Sequence, residues 1–237
     1  MNQVKKDIKQ YYDKTEAYYT KFLSKAGQYF KNRKINVFQK FMNSKEGSKI
    51  LEVGCADGVF TLEFAKMNST MIGLDLSKKQ LLKLMKISKN LPYEIHTVLG
   101  DAESLPFKSD SIDTIISIST IRYVPNPQSA ILDFARVVKQ GGRVVVDFPN
   151  KYSPYFLFLK QLFLKRHPHD SPFSVGEVKR LFKKSNLSSI QFKLILITAK
   201  FFPDWVFPWI HVFEKLIEEI PLLNRLASII VCAGKKV

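Results

Sequence analysis

Apolar residues recur at helical spacing from the amino terminus onward: Val4, Ile8, Tyr11 and Tyr12, then Tyr18, Tyr19 and Phe22, then Phe30, Ile35, Phe38 and Phe41. That period predicts helix over 3–43. At Lys49 it shortens. Lys49-Ile50-Leu51-Glu52-Val53 is a strand-like run that stops in Gly54-Cys55-Ala56-Asp57-Gly58, and residues 59–65 return to helical spacing. Strand, glycine loop and helix in succession open a βαβ unit.

The alternation repeats. A strand at 71–75 leads to a helix capped by Ser77 and carrying Leu81, Leu82, Leu84 and Met85. Further strands are predicted at 93–99, 112–118 and 142–148, with a helix over 127–138. Beyond Pro149 come an aromatic helix at 152–163, a His/Pro loop at 165–172, an amphipathic helix at 174–185 and two late strands at 189–197 and 227–233. Repeated βα units imply a parallel sheet covered by helices on both faces. The expected fold is therefore α/β and doubly wound: a mostly parallel seven-stranded sheet, N-terminal helices and a C-terminal helical aromatic lid. The chain reads as a single domain over 1–237, with an N-terminal helical cap (1–48), a ligand-binding core (49–150), and a lid with the last two strands (151–237).

The composition excludes a disordered or collagen-like chain, since 46% of residues are hydrophobic and 19 are Phe. Cys55 and Cys232 supply neither a disulfide framework nor a zinc-spaced set, which fits a reducing compartment. The polar opening lacks the apolar stretch of a secretion signal, and no apolar run approaches the roughly 20 residues of a membrane span. Cytoplasm is the expected location. The net charge of +16 is uneven: residues 1–48 carry +7, residues 49–150 carry +1 and residues 151–237 carry +8. A near-neutral core between basic flanks suggests a small ligand in the core and an anionic partner for the flanks.

Three strand ends carry the candidate chemistry. Gly54-x-Ala56-x-Gly58 follows the first strand, where open α/β sheets bind ligands, and its small residues let the backbone approach one. Asp75 ends the second strand, where a carboxylate can accept both hydroxyls of a ribose. Asp101, after the third, can accept from an adenine amino group with Ala102 behind it.

In that order, Ile50-Leu51-Glu52-Val53-Gly54-Cys55-Ala56-Asp57-Gly58, Gly73-Leu74-Asp75-Leu76-Ser77, Gly100-Asp101-Ala102-Glu103-Ser104-Leu105-Pro106-Phe107 and Arg136-Val137-Val138-Lys139-Gln140-Gly141-Gly142 resemble the motifs of class I S-adenosylmethionine-dependent methyltransferases. The later motifs are most similar to the small-molecule branch that includes quinone-biosynthesis enzymes, and the likeness covers about residues 48–150. It implies a Rossmann-like fold with S-adenosyl-L-methionine as cofactor and S-adenosyl-L-homocysteine as product. It also implies roles: Gly54, Ala56 and Gly58 along the methionine part, Glu52 at its amino group, Asp75 on the ribose, Leu76 on the adenine face, Asp101 and Ala102 at the adenine edge, and Ser117 near the sulfonium. The family's middle glycine is Ala56 here, which adds a methyl close to the ligand. A nicotinamide dinucleotide would need glycines at 54, 56 and 59, of which only Gly54 is present.

Candidates near the transferred methyl are Arg122 and Tyr123, after the fourth strand, and His169, in the His/Pro loop. Relatives often carry a His where Arg122 stands; the arginine suits an anionic acceptor. No metal site is expected, because His167 and His169 lack further ligands. Ten of the 19 Phe and both Trp follow residue 150, interleaved with Lys160, Lys165, Arg166, Lys193 and Lys200. Rings and lysines together suit a headgroup region. The expected activity is methyl transfer to a small, hydrophobic or lipid-like acceptor (O-, C- or N-methylation open), with peripheral contact to anionic membrane. The alternatives are a nucleic-acid methyltransferase, for which the chain lacks the Asn/Asp-Pro-Pro-Tyr/Phe motif, and a non-catalytic S-adenosylmethionine-binding protein.

Overall fold

The computed structural model describes residues 2–15, 19–154, 156–157, 171–195, 209, 212, 214, 218, 220 and 223–237. Its order of elements is α1 (Gln3–Lys14), α2 (Lys25–Met42), β1 (Lys49–Val53), α3 (Thr61–Ala65), β2 (Thr70–Asp75), α4 (Lys78–Ser88), β3 (Ile95–Leu99), β4 (Ile112–Ser117), α5 (Pro127–Val137), β5 (Val138–Pro149), α6 (Val175–Lys184), β6 (Leu187–Ile195) and β7 (Ile229–Lys236). The strands form one seven-stranded sheet in the order β3-β2-β1-β4-β5-β7-β6. Only β7 runs antiparallel to its neighbours, with Val146 opposite Cys232 and Phe192 opposite Cys232 on its other side.

Period-two alternation splits the core between the two faces. Leu51, Ile115, Val144 and Val146 pack against Ile131 and Phe134 of α5 and Val178 and Phe182 of α6. Ile50, Ile116 and Val145, one residue out of step, pack against Ile35, Phe38 and Met42 of α2 and Phe64 of α3. Central strands buried on both sides need apolar residues at consecutive positions, which is why Ile50, Leu51 and Val53 are all fully buried. Strand order reverses between β1 and β4. That reversal leaves a crevice at the carboxyl ends of the two strands.

The continuous helix expected over 3–43 is a correction. The structure has α1 and α2, separated by an extended Thr15 and by Ser24, whose side chain accepts from the Gly27 N–H and starts a new helix. Apolar periodicity runs through such a break because the capping serine is a polar residue at an ordinary surface position. Tyr18 lies outside the described residues. β5 begins at Val138 instead of 142, β6 and β7 are Leu187–Ile195 and Ile229–Lys236, and the helix after the glycine loop is only Thr61–Ala65. The amphipathic helix stands at α6, opened by a capping box of Ser174 and Glu177. Most of the aromatic segment, including Trp205, His167 and His169, lies outside the described residues. Among those that are described, no helix is long and apolar enough to cross a membrane, and no cluster of His, Cys, Asp and Glu could hold a metal.

Candidate active site

The glycine loop is shaped by what presses on it. Gly54 has φ +80°, and a Cβ there would stand 2.2 Å from the Thr120 hydroxyl oxygen, so this position needs glycine twice over. Thr120 donates from that hydroxyl to the Gly54 carbonyl at 3.2 Å, tying the end of β1 to the segment after β4. Ala56 also takes a left-handed conformation, φ +47°. Its N–H donates to Asp75 Oδ2 at 2.9 Å, while Oδ1 of the same carboxylate accepts from the Ser77 N–H at 2.8 Å. Burial pushes the Asp75 carboxyl above its ordinary value, and the backbone N–H donors of Ser77, Ala56 and Leu76 oppose that rise.

A partly open pocket occupies the crevice, where open α/β sheets bind their ligands. Glu52, Gly54 and Ala56 line it from β1, Asp75 and Leu76 from β2, and Gly100, Asp101 and Ala102 from β3. Ser119, Thr120 and Tyr123 close the side beyond β4. Glu52 is 1% exposed and accepts a hydrogen bond from the Thr61 hydroxyl at 2.5 Å. Burial, and secondarily the neighbouring Asp75 charge, push its carboxyl up to about 8 against the Thr61 hydrogen bond.

The roof is α1, which the sequence did not mark as part of a site. Lys5, Ile8 and Tyr12 line the pocket, and Tyr12 meets Tyr123 edge to face at 6.1 Å. Lys5 Nζ stands 2.6 Å from Asp101 Oδ2 and 2.8 Å from Glu103 Oε2. Burial disfavours the ammonium, yet the two carboxylates hold it above the usual lysine value. Asp13 accepts from the Ser77 hydroxyl, and Gln80 donates to the Tyr12 and Thr15 carbonyls, so the roof is bonded to α4 as well.

The methyltransferase-domain family matches residues 51–146, the span that contains every one of these strand ends. Residues 51–146 are a methyltransferase domain of the class I S-adenosylmethionine-dependent kind. Its relatives include a ubiquinone biosynthesis O-methyltransferase of Dechloromonas aromatica, 30% identical over 61% of this chain and 66% of the other. A demethylmenaquinone methyltransferase of Bacillus velezensis is 28% identical over 65% of this chain and 76% of its own. The match spans 54% to 66% of the first curated relatives' length. In fold the chain is similar to a S-adenosylmethionine-dependent methyltransferase of Thermotoga maritima described as a possible histamine N-methyltransferase, with a TM-score of 0.71 at 17% identity, covering 99% of this chain and 100% of the other.

The cofactor of this methyltransferase family is S-adenosylmethionine, and the pocket's donors and acceptors fit it. Carboxylates able to accept hydrogen bonds, Asp75 and Asp101, line the pocket at the ends of adjacent strands, and a third carboxyl, Glu52, is buried in its wall. Val59 also lines the pocket, where a dinucleotide loop would need its third glycine.

Several candidates stand elsewhere. Gly58, φ +89°, does not face the pocket: a Cβ there would meet Leu84 of α4 at 2.3 Å, so this glycine serves helix packing. Ser117 is fully buried within the sheet, donating to the Val53 carbonyl at 3.1 Å, and of the two serines at this strand end it is Ser119 that lines the pocket. The turn at Ile121–Tyr123 directs Tyr123 inward, whereas the Arg122 guanidinium lies over the Tyr123 and Phe156 rings at 5.4 and 5.6 Å and does not line the pocket. His169 lies outside the described residues.

Proposed function

We propose that this protein transfers a methyl group from S-adenosylmethionine to a small, hydrophobic acceptor of the quinone-precursor kind named for its relatives. The observation that carries this reading is the convergence of Glu52, Asp75 and Asp101 with the Gly54 loop on one pocket at the switch point of the sheet. Bound there, the cofactor supplies an activated methyl on a sulfonium. Asp75 and Leu76 hold the ribose and adenine face, Asp101 with Ala102 the adenine edge, Gly54 and Ala56 the methionine part, and Glu52 its ammonium. The chain's remaining task is alignment, which can supply most of the acceleration for a donor already activated.

Tyr12 and Tyr123, touching edge to face across the pocket, suit a flat apolar acceptor. In this reading residues 151–237 include the lid, and the aromatic, basic segment places the enzyme at an anionic membrane surface where such acceptors concentrate. Trp209, 68% exposed, is one ring available to it. The deciding experiment is incubation of cell extracts with enzyme and isotopically labelled donor, followed by mass spectrometry. A labelled small-molecule product is expected; label recovered only in RNA would overturn the acceptor class, and no labelled product would overturn catalysis.

A further inference from the structure

Behind the pocket wall lies a buried charge cluster that the cofactor assignments leave unused. Lys34, on α2, is fully buried and donates from Nζ to Asp147, at the end of β5, and to Ser119 Oγ at 2.6 Å. Asp147, 2% exposed, accepts from the Ser119 N–H through its other oxygen at 2.6 Å. Ser119 is thereby gripped at both its backbone and its side chain, in a left-handed conformation of φ +58°. A non-glycine residue holds such a conformation only where its surroundings enforce it, and such residues gather at functional sites.

Stability does not explain the arrangement. A buried lysine–carboxylate pair generally adds little over apolar residues of the same volume, and α2 already packs on the sheet through Ile35, Phe38 and Met42. What the pair does is occupy the Ser119 oxygen with an ammonium donor. The hydroxyl hydrogen is then what Ser119 has to offer the pocket that it lines, and donation from the ammonium polarises it. Burial lowers the Lys34 pKa, the paired Asp147 carboxylate opposes that and keeps the ammonium favoured, and the Arg122 charge nearby lowers it further.

We propose that Ser119 is the acceptor-binding residue of the site, presenting a charge-assisted hydrogen bond to an ionised oxygen of the acceptor, with Lys34 and Asp147 as its positioning residues. The ligand class is an oxyanion on a small carbon skeleton, a phenolate, enolate or carboxylate. This rests on the methyltransferase reading and specifies the far side of the same pocket. An acceptor bound in this way releases its hydroxyl proton to solvent on binding, so ionisation can be read directly.

The probe is 4-nitrocatechol, which absorbs visible light when ionised, titrated into the protein saturated with S-adenosylhomocysteine. The wild type is expected to bind the ionised form and lower the probe's apparent pKa by about one unit or more. Ser119→Ala should lose that shift and bind roughly tenfold to a hundredfold more weakly, the range of a charged hydrogen bond. Its S-adenosylhomocysteine affinity, measured by calorimetry, should stay within about threefold, a change too small to be a lost hydrogen bond to the cofactor. A double variant, Lys34→Met with Asp147→Asn, removes both charges together so that neither is left buried alone. It should lose the probe shift with Ser119 still present; should it fail to fold, Ser119→Ala alone decides. An unchanged shift in Ser119→Ala, or binding of only the neutral probe or none by the wild type, overturns the inference while leaving the cofactor reading intact. Failure of the wild type to bind S-adenosylhomocysteine overturns both.

Discussion

Replacing Glu52 with glutamine should stabilise the apo protein and weaken its hold on the cofactor. In the folded chain burial raises the Glu52 carboxyl to about 8, whereas in the unfolded chain it returns to its ordinary value of 4.5. The folded state therefore holds a proton that the unfolded state gives up between those two values, and stability falls as pH rises through that window. At pH 7 the folded carboxyl remains largely protonated while the unfolded one has ionised. With each pH unit worth about 1.4 kcal/mol, Glu52 costs the fold about 3 kcal/mol there, a large share of a typical domain's stability.

Glutamine is neutral throughout, nearly isosteric, and its carbonyl can still accept from the Thr61 hydroxyl. Urea unfolding at pH 5.5, 6.5 and 7.5, a range inside the window, should show wild-type stability falling by up to about 1.4 kcal/mol per unit more than that of Glu52→Gln. At pH 7 the variant should be the more stable by about 3 kcal/mol. The same substitution should weaken S-adenosylmethionine binding, because the carboxylate that answers the cofactor's ammonium is gone. Wild-type binding near pH 7 should release a proton, visible as a dependence of calorimetric heat on buffer ionisation enthalpy, and the variant should release none from this site. A variant that is less stable, with the wild type's pH slope, would refute the buried protonated carboxyl.

Asp75→Ala should weaken both S-adenosylmethionine and S-adenosylhomocysteine roughly tenfold or more in calorimetric titration, through the loss of a charged hydrogen-bond acceptor; unchanged affinity in a folded variant would remove the ribose assignment. NAD should show no saturable binding in the same titration, since Val59 occupies a wall position where a dinucleotide needs glycine. Ala56→Gly should tighten cofactor binding by removing a methyl from the wall and a left-handed strain, so weaker binding in a folded variant would count against the loop's assigned role. Replacing Trp205 and Trp209 together with Ala should reduce cosedimentation with anionic vesicles and leave cofactor affinity unchanged; tight RNA gel shift without vesicle binding would transfer the basic flanks to nucleic acid.

The sheet was legible because its causes are local. Apolar residues on both faces of the first strand, at 50, 51 and 53, glycine at the strand end and Ser77 as a cap each leave a mark within a few residues. Two of the pocket's carboxylates were legible for the same reason: Asp75 and Asp101 stand at strand ends that the pattern itself locates, and both line the pocket. The other side of the pocket was not. Lys5 lies 96 positions before Asp101, and Lys34 lies 113 before Asp147, so nothing near either lysine distinguishes it from the many others on basic, amphipathic helices. Ser117 and Ser119 illustrate a finer limit. Both are serines at the end of β4, and only the backbone turn after the strand decides which reaches the pocket and which bonds to Val53.

The strand-end acids do more than the sequence allows one to read. Among the described residues other than glycine with positive φ, Asn43, Asn68, Asp110 and Asn186 are types that tolerate the left-handed region, and Ser189 sits at the register shift between β6 and β7. Ala56 and Ser119 have neither excuse. Both line the pocket, one after β1 and the other after β4, and each has its strained N–H held by a carboxylate at the end of the next strand outward, Asp75 from β2 and Asp147 from β5. The two clamps flank the switch point and fix the backbone where the two sides of the pocket meet. If the carboxylates hold the loops as well as binding ligands, Asp75→Asn, which keeps one carbonyl oxygen, should retain more of the loop geometry than Asp75→Ala. The measurable consequence is a stability difference between the two variants in the absence of any cofactor, and equal stability would show that Asp75 is a ligand alone.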